Sequence, residues 1–402
     1  MATPPPPAGD IATPLSSPGL IARLLTGQRV PAAAARLGAR LAASRGRPWR
    51  FGTTVIAARH ADVRELLSRD LDFVIAPINA GRIDEVNGPF VLGMDRCARL
   101  ETERGALYRA LAAIDYAPLR EAIPTEAASR LSGAATIDIV ADYARPIAAH
   151  SAQRLFGIAG TDEATFEDMA RAIFAHTFLN LGNDETVRQR AIRAAGLMRQ
   201  WLADEIARRK ATGAPDPTND MMGALLRDGT LDADGARHTL GGMLVGSVDT
   251  TASTVAKIIA ILGGDAELRG QVTADIDDQG RMRGWCWDVL RRWPHNPILL
   301  RQAATATTLA GTEVKAGDRV IAWTQAAMQD GSIFADPERV RPDREPSGYL
   351  HLGAGLHPCA GRAVNAFQIP LLVAAVLRRG IRSVGKIGWA GPFPARLPVT
   401  LE

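Results

Sequence analysis

Residues 352–361 read Leu352-Gly353-Ala354-Gly355-Leu356-His357-Pro358-Cys359-Ala360-Gly361, at the end of an irregular run, RVRPDREPSGYLHLGAGLHPCAG, that starts at Arg339. A Pro- and Gly-rich stretch of this length is uncommon as a plain connection, and such segments tend to carry function. An amphipathic pattern from about Arg362 to Arg379 follows at once, so Cys359 stands just before a helix that Gly361 opens. Glycines at 353 and 355 allow the backbone to turn tightly. Amide dipoles at the helix N-terminus, and any metal the sulfur ligates, both favour thiolate over thiol. A free cysteine taken alone is more often a buried structural residue. An attacking nucleophile with His357 as base is a further reading, but the two are only two residues apart and no oxyanion site is evident.

Working outward, residues 234–263 (DGARHTLGGMLVGSVDTTASTVAKIIAILG) predict one long apolar helix, interrupted near its middle by the polar run Ser247-Val248-Asp249-Thr250-Thr251. A solvated face or a cap is the ordinary explanation of Asp-Thr-Thr on a helix. The apolar flanks argue against solvent here.

Taken together and in this order, the two stretches resemble the cytochrome P450 family. Its ligand loop, F-G-x-G-x-H-x-C-x-G, is matched with Leu352 in place of Phe, and its oxygen-activation signature, [AG]-G-x-[DE]-T-T, with Ser247 in place of the second glycine. The resemblance implies that Cys359 ligates the iron of a haem b, with Gly353, Gly355 and Gly361 shaping the cradle. It also implies that Thr250 holds the oxygen being activated while Asp249 passes protons inward, and that His357, Arg301 and Arg109 contact the propionates. A histidine common in the family one turn before Arg109 is absent, Gly105 being there, so Arg104 or Tyr108 is expected to substitute. Asp288 and Arg291 fall where the family has E-x-x-R, with Arg339 completing a structural ion triad. Asp288 is one methylene shorter than the family's glutamate, which requires a closer network. The implied substrate pocket takes Ile78, Phe90, Val91, Phe178, Leu179, Leu244, Val245, Ile298 and Leu299.

The remaining sequence agrees with a mainly helical chain. Ala/Leu/Arg segments at 20–44, 98–114, 117–133, 138–157, 161–179 and 184–210 carry apolar residues at three-to-four spacing. Strands are expected only around Trp49–Ala57, Ile298–Thr305, Glu313–Val314 and Arg319–Ile321. The fold class read from this is mainly α with small peripheral β-sheets, and the resemblance implies a triangular helical prism around a buried haem. A Pro-rich arm at 1–19 is expected to be disordered, with one domain from 20 to 402.

The 402 residues carry a formal net charge of +4 with no basic run interleaved with aromatics, which excludes the usual nucleic-acid surface. Cys97, Cys286 and Cys359 form no C-x-x-C pair, so neither a disulfide framework nor a zinc site is indicated, and a reducing, cytoplasmic setting is expected. No stretch reaches the roughly 18 consecutive apolar residues of a membrane span. The function implied is a monooxygenase that uses dioxygen and external electrons to oxidise a small, largely apolar organic molecule. Its expected partner is an acidic ferredoxin or flavodoxin, with its reductase, docking near Arg104, Arg109 and Arg362, and the chain is expected to be monomeric. Peroxide-driven or non-oxygenating chemistry in the same family, a haem-binding sensor, and a helical protein without haem are the rivals. Asp249-Thr250 argues against the sensor, which has no need of a proton relay.

Overall fold

The computed structural model describes residues 32–158, 162–180, 182–212, 217–390 and 393–402. The proline-rich arm at 1–19 lies outside them, as does the first part of the helix expected over 20–44, whose described part is Ala32–Arg45. Helices Ala98–Ala112, Ala117–Leu131 and Glu185–Lys210 form where the three-to-four pattern predicts them. The segment 138–157 differs. Its start is a strand, Thr136–Asp138, then a π-turn, Ile139–Ala144, before the helix Arg145–Phe156. Asp138 ends the strand by accepting the amide hydrogens of Val140 and Ala141. A second π-turn, Ala175–Leu179, closes the helix Glu163–Phe174.

The stretch 49–57 is a hairpin of two strands, Trp49–Phe51 and Thr54–Ala57, because Gly52 turns the chain at φ +56°. Thr54–Ala57 runs parallel to Arg319–Ala322, which pairs antiparallel with Leu299–Ala303, and Phe73–Val74 completes a five-stranded sheet. Smaller sheets join Ile381–Val384 and Thr136–Asp138 through Pro398–Leu401. The C-terminal strands escape sequence reading because Gly and Pro interrupt their short alternation.

The central apolar segment is two helices, Ala233–Val245 and Asp249–Gly264, separated at Gly246-Ser247-Val248. Its most apolar window is 72% buried inside the protein. Burial is two-sided, with Leu240, Leu244, Val255 and Ile259 all wholly enclosed. Each such side chain contributes roughly 1.5–3 kcal/mol to the core. The final helix, Arg362–Arg379, packs against Asp249–Gly264 and against Gln279–Arg292, and between these elements a cavity of about 430 Å³ remains.

Candidate functional site

Cys359 lines this cavity, as do His357, Gly353 and Gly361. The cysteine loop is held by its own backbone: the Cys359 amide donates to the Leu352 carbonyl at 2.8 Å, and the Gly353 amide to Leu350 at 3.0 Å. Gly353 and Gly355 sit at φ +71° and +72°, the left-handed region that favours glycine. A Cβ at 353 would stand 2.9 Å from the His357 carbonyl, and one at 355 would collide with the carbonyl of Leu67. The two glycines therefore serve the turn, and Gly355 also its packing on the helix His60–Ser68, while Gly353 lines the cavity. Burial pushes the Cys359 thiol up, while the Gly361 amide and the Arg362 charge pull it down. Of the other cysteines, Cys286 is buried in the core and Cys97 is exposed, its sulfur capping Ala98–Ala112.

The helix break provides the facing wall. Ser247 Oγ donates to the Leu244 carbonyl at 2.8 Å, Thr250 Oγ1 to Gly246 at 2.6 Å and Thr251 Oγ1 to Ser247 at 2.7 Å. Hydroxyls back-bonded to carbonyls in the preceding turn are what bends the helix here. Gly242, Met243, Gly246, Ser247, Thr250 and Thr251 face the cavity, whereas Leu244 and Val245, expected in the pocket, point into the core with 0% and 6% exposure. Residues one helical position away from the lining turn to the other side, and a periodicity argument carries no phase to separate them. Ile78, Phe90, Val91, Phe178, Leu179, Ile298 and Leu299 do line it. Asp249 does not. Its carboxylate pairs at 3.3 Å with Arg145 Nε, behind the helix, each side chain 8% exposed.

One edge of the cavity is cationic. Arg301 is 6% exposed, and its only hydrogen bond among the described residues is to the Leu300 carbonyl, with no carboxylate at ion-pair distance. Burial holds its guanidinium down to about 10. His357 is pushed down to about 4 by burial, with Arg301 adding to the effect. Arg104 donates to the Leu356 carbonyl at 2.8 Å and also faces the cavity. Arg109 is elsewhere. It forms a bidentate pair with Asp228 at 2.6 and 3.0 Å, bonds Thr230, and its side chain is 54% exposed. Of the early-helix residues expected at the propionates, Arg104 and Tyr108 thus line the cavity and Arg109 does not. Of the three arginines expected to meet an acidic partner, Arg104 and Arg109 are already engaged, and Arg362 is exposed.

The ion triad also changes a member. Asp288 and Arg291 are wholly buried and paired at 2.6 Å. Arg344, not Arg339, supplies the second guanidinium, 3.1 Å from Asp288. Arg339 contributes its carbonyl, which accepts from Arg291 and Arg344 at 3.0 Å each, while its side chain is exposed. The Tyr349 hydroxyl at 3.2 Å and the Arg341 amide at 2.8 Å complete the shell around the shortened acid.

These residues fit the haem that the resemblance implies. A buried cation without a counter-carboxylate, flanked by a neutral imidazole and a second arginine, suits a ligand bearing two carboxylates, and a thiol in the same cavity suits its iron. Cys359 would hold the metal and Arg301, Arg104 and His357 the carboxylates.

The comparisons with known proteins agree. The family model described as Cytochrome P450 matches residues 161–379. The chain is 29% identical over 285 residues to cyclooctat-9-en-7-ol 5-monooxygenase of Streptomyces melanosporofaciens, covering 61% of each chain. It is 27% identical over 254 residues to mycinamicin IV hydroxylase/epoxidase of Micromonospora griseorubida, covering 61% of this chain and 60% of that one. These matches span less than two thirds of either relative. The fold is similar to that of the open P450 EryK from S. erythraea, with a TM-score of 0.77 at 22% identity over 94% of this chain and 98% of that one. With the matched segment holding more than half of the chain, including the broken helix and the cysteine loop, the chain belongs to the cytochrome P450 family.

Proposed function

We propose that the chain is a haem-thiolate monooxygenase that oxidises a small, largely apolar organic molecule with dioxygen and electrons from a ferredoxin or flavodoxin. The observation that carries this reading is that Cys359 and the hydroxyl-broken helix at 246–251 line one cavity. Haem b, when bound, supplies the oxygen chemistry, its thiolate ligand donating electron density that favours O–O cleavage. Thr250 positions a hydroxyl at the cavity wall, and its bond to the Gly246 carbonyl fixes the oxygen's direction. Asp249, one residue away behind the wall, is proposed as a proton relay: once its carboxylate leaves the pairing with Arg145, it takes a proton from solvent water and passes it inward. Apolar residues around Ile78, Phe178 and Leu299 exclude water from the reacting side. The names of the two relatives, a monooxygenase and a hydroxylase/epoxidase, are consistent with this activity. We further place the chain in the cytoplasm as a monomer.

The test is coupling efficiency in the haem-loaded protein with a surrogate ferredoxin and reductase. Groups acting only after oxygen enters leave ground-state binding untouched, so Thr250→Ala is expected to keep the substrate-induced spectral shift, release more peroxide and yield less product per electron. Product formation as efficient as wild type would overturn the assignment. The withdrawal of Asp249 from the wall favours one second reading, a peroxide-using enzyme, because hydrogen peroxide brings its own oxygen, electrons and protons. Faster turnover with peroxide than with the reductase would select it.

A further inference from the structure

We infer that the cavity admits neutral, largely apolar molecules, seats a ligand hydroxyl on Asn79 and Thr177, and discriminates against carboxylates. The inference rests on the monooxygenase reading, in that it takes Arg104, Arg301 and His357 to be occupied by the carboxylates of the cofactor. Donors and acceptors left over on the rest of the lining then meet the substrate.

Two segments, the helix Ala76–Val86 and the π-turn Ala175–Leu179, contribute Ile78, Asn79, Thr177, Phe178 and Leu179 to the cavity. Phe178 stacks on Phe174, another lining residue, at 4.8 Å between ring centres, and Phe90 lies against the central helix where Gly242 has no side chain. No charged side chain from these two segments faces inward. Arg82, the one cation of the helix, donates to the carbonyls of Ile78 and Asn180, and Glu85 is held by His176 at 2.9 Å and by Arg188 at 2.7 Å. Arg82, Asp84, Glu85 and His176, the titratable residues of the two segments, are all absent from the cavity lining.

On these two segments and on the central helix, the side-chain hydroxyls and the Asn79 amide that face inward offer acceptors. The Asn79 amide nitrogen donates to the Leu92 carbonyl at 3.2 Å, which turns that end toward the backbone, and its oxygen has no hydrogen bond among the described residues and can accept from a ligand. The Thr177 hydroxyl donates to the Ile173 carbonyl at 2.9 Å, and Ser247, Thr250 and Thr251 donate to helix carbonyls in the same way, so each presents lone pairs. A ligand O–H finds acceptors there. A carboxylate finds lone pairs and no counter-charge, and burying an ionised group without a partner is strongly unfavourable. A long-chain acid and an apolar alcohol of the same skeleton are thereby distinguished by the wall itself.

The experiment is a calorimetric titration of the haem-loaded protein at neutral pH with three probes that share one tricyclic skeleton: dehydroabietane, its primary alcohol dehydroabietol, and dehydroabietic acid. The hydrocarbon and the alcohol are expected to bind within about threefold of each other and the acid roughly a hundredfold more weakly, the penalty of an unpaired buried charge. Asn79→Leu is expected to weaken the alcohol about tenfold, the cost of leaving its hydroxyl without an acceptor, while the hydrocarbon is unchanged. Thr177→Val provides a second variant and should move the alcohol in the same direction by less. Acid binding as tight as alcohol, an equal loss for both neutral probes in Asn79→Leu, or no binding by either neutral probe would overturn the inference. None of these readings needs turnover. The carbon monoxide spectrum of the same samples reports thiolate ligation, so a normal spectrum with a failed titration removes the substrate class alone, and an abnormal one removes the enzyme reading beneath it.

Discussion

Asp288 has no solvent contact, and the groups around it differ in what they contribute: two guanidiniums, one phenol and one backbone amide converge on its two oxygens. Removing a buried partner strands the opposing charge, so Asp288→Ala is expected to lose about 3–5 kcal/mol, read from the urea midpoint, and to retain haem poorly. Arg344→Ala should follow it in direction. Arg339→Ala should stay within about 0.5 kcal/mol, because only its carbonyl is used. Equal losses at 339 and 344 would contradict the network. The same logic separates Arg104 from Arg109. Arg104→Ala is expected to lower haem retention in a wash-out assay, whereas Arg109→Ala, which breaks an exposed pair with Asp228, should leave it unchanged and shift the urea midpoint little. Haem loss in Arg109→Ala with none in Arg104→Ala would restore the sequence-based assignment.

The long central helix is where local chemistry decides the shape of the site. Its break follows from three hydroxyls that take helix carbonyls, and just before it Gly242 leaves room for the Phe90 ring. Gly242→Ala places a Cβ into that ring, so Phe90 must move, and ligand affinity is expected to fall while stability changes by about 1–3 kcal/mol. Unchanged affinity would show that Phe90 does not shape the binding wall. Farther along, Lys257 is 1% exposed, donates to the Pro294 carbonyl at 2.8 Å and lies 5.4 Å from the Trp293 ring centre. Burial pushes its ammonium from 10.5 down to about 7. Between those values the unfolded chain holds a proton that the folded one has released, so stability contributed at this site rises with pH across the window, and the full penalty applies below it. Lys257→Met is therefore expected to be more stable than wild type at pH 6, with the gap narrowing by a few kcal/mol, in order of magnitude, toward pH 10. A gap independent of pH would show that the amine is already neutral or not desolvated. At this scale the sequence was informative about existence and blind to phase. Apolar periodicity located the central segment, and Ser247-Val248-Asp249-Thr250-Thr251 marked its anomaly. Neither tells which side of the helix meets the cavity, so Leu244 and Val245 were expected in a wall that Gly242 and Met243 form. Arg344 and Asn79 carried no local signal at all, since their roles arise from contacts across the fold.

On the scale of the whole molecule, charge and apolar surface are sorted around one cavity. Cations gather at the cysteine-loop edge, through Arg104 and Arg301, and the aromatic and aliphatic residues of the segments 76–86 and 174–179 gather opposite the helix they cover. The sorting was legible only in part. The cysteine loop and the broken helix announce themselves by composition, whereas the sheets at the C-terminus and the two π-turns depend on tertiary contacts that override weak local preference. The claim on which everything else stands is that Cys359 is the axial ligand of the iron, and carbon monoxide binding to the reduced, haem-loaded protein tests it most directly. Wild type, Cys97→Ser and Cys286→Ser are expected to show the red-shifted Soret band of thiolate ligation, and Cys359→His to lose it while still binding haem. A thiolate-type band that survives in Cys359→His, or is missing from wild type, would contradict the account.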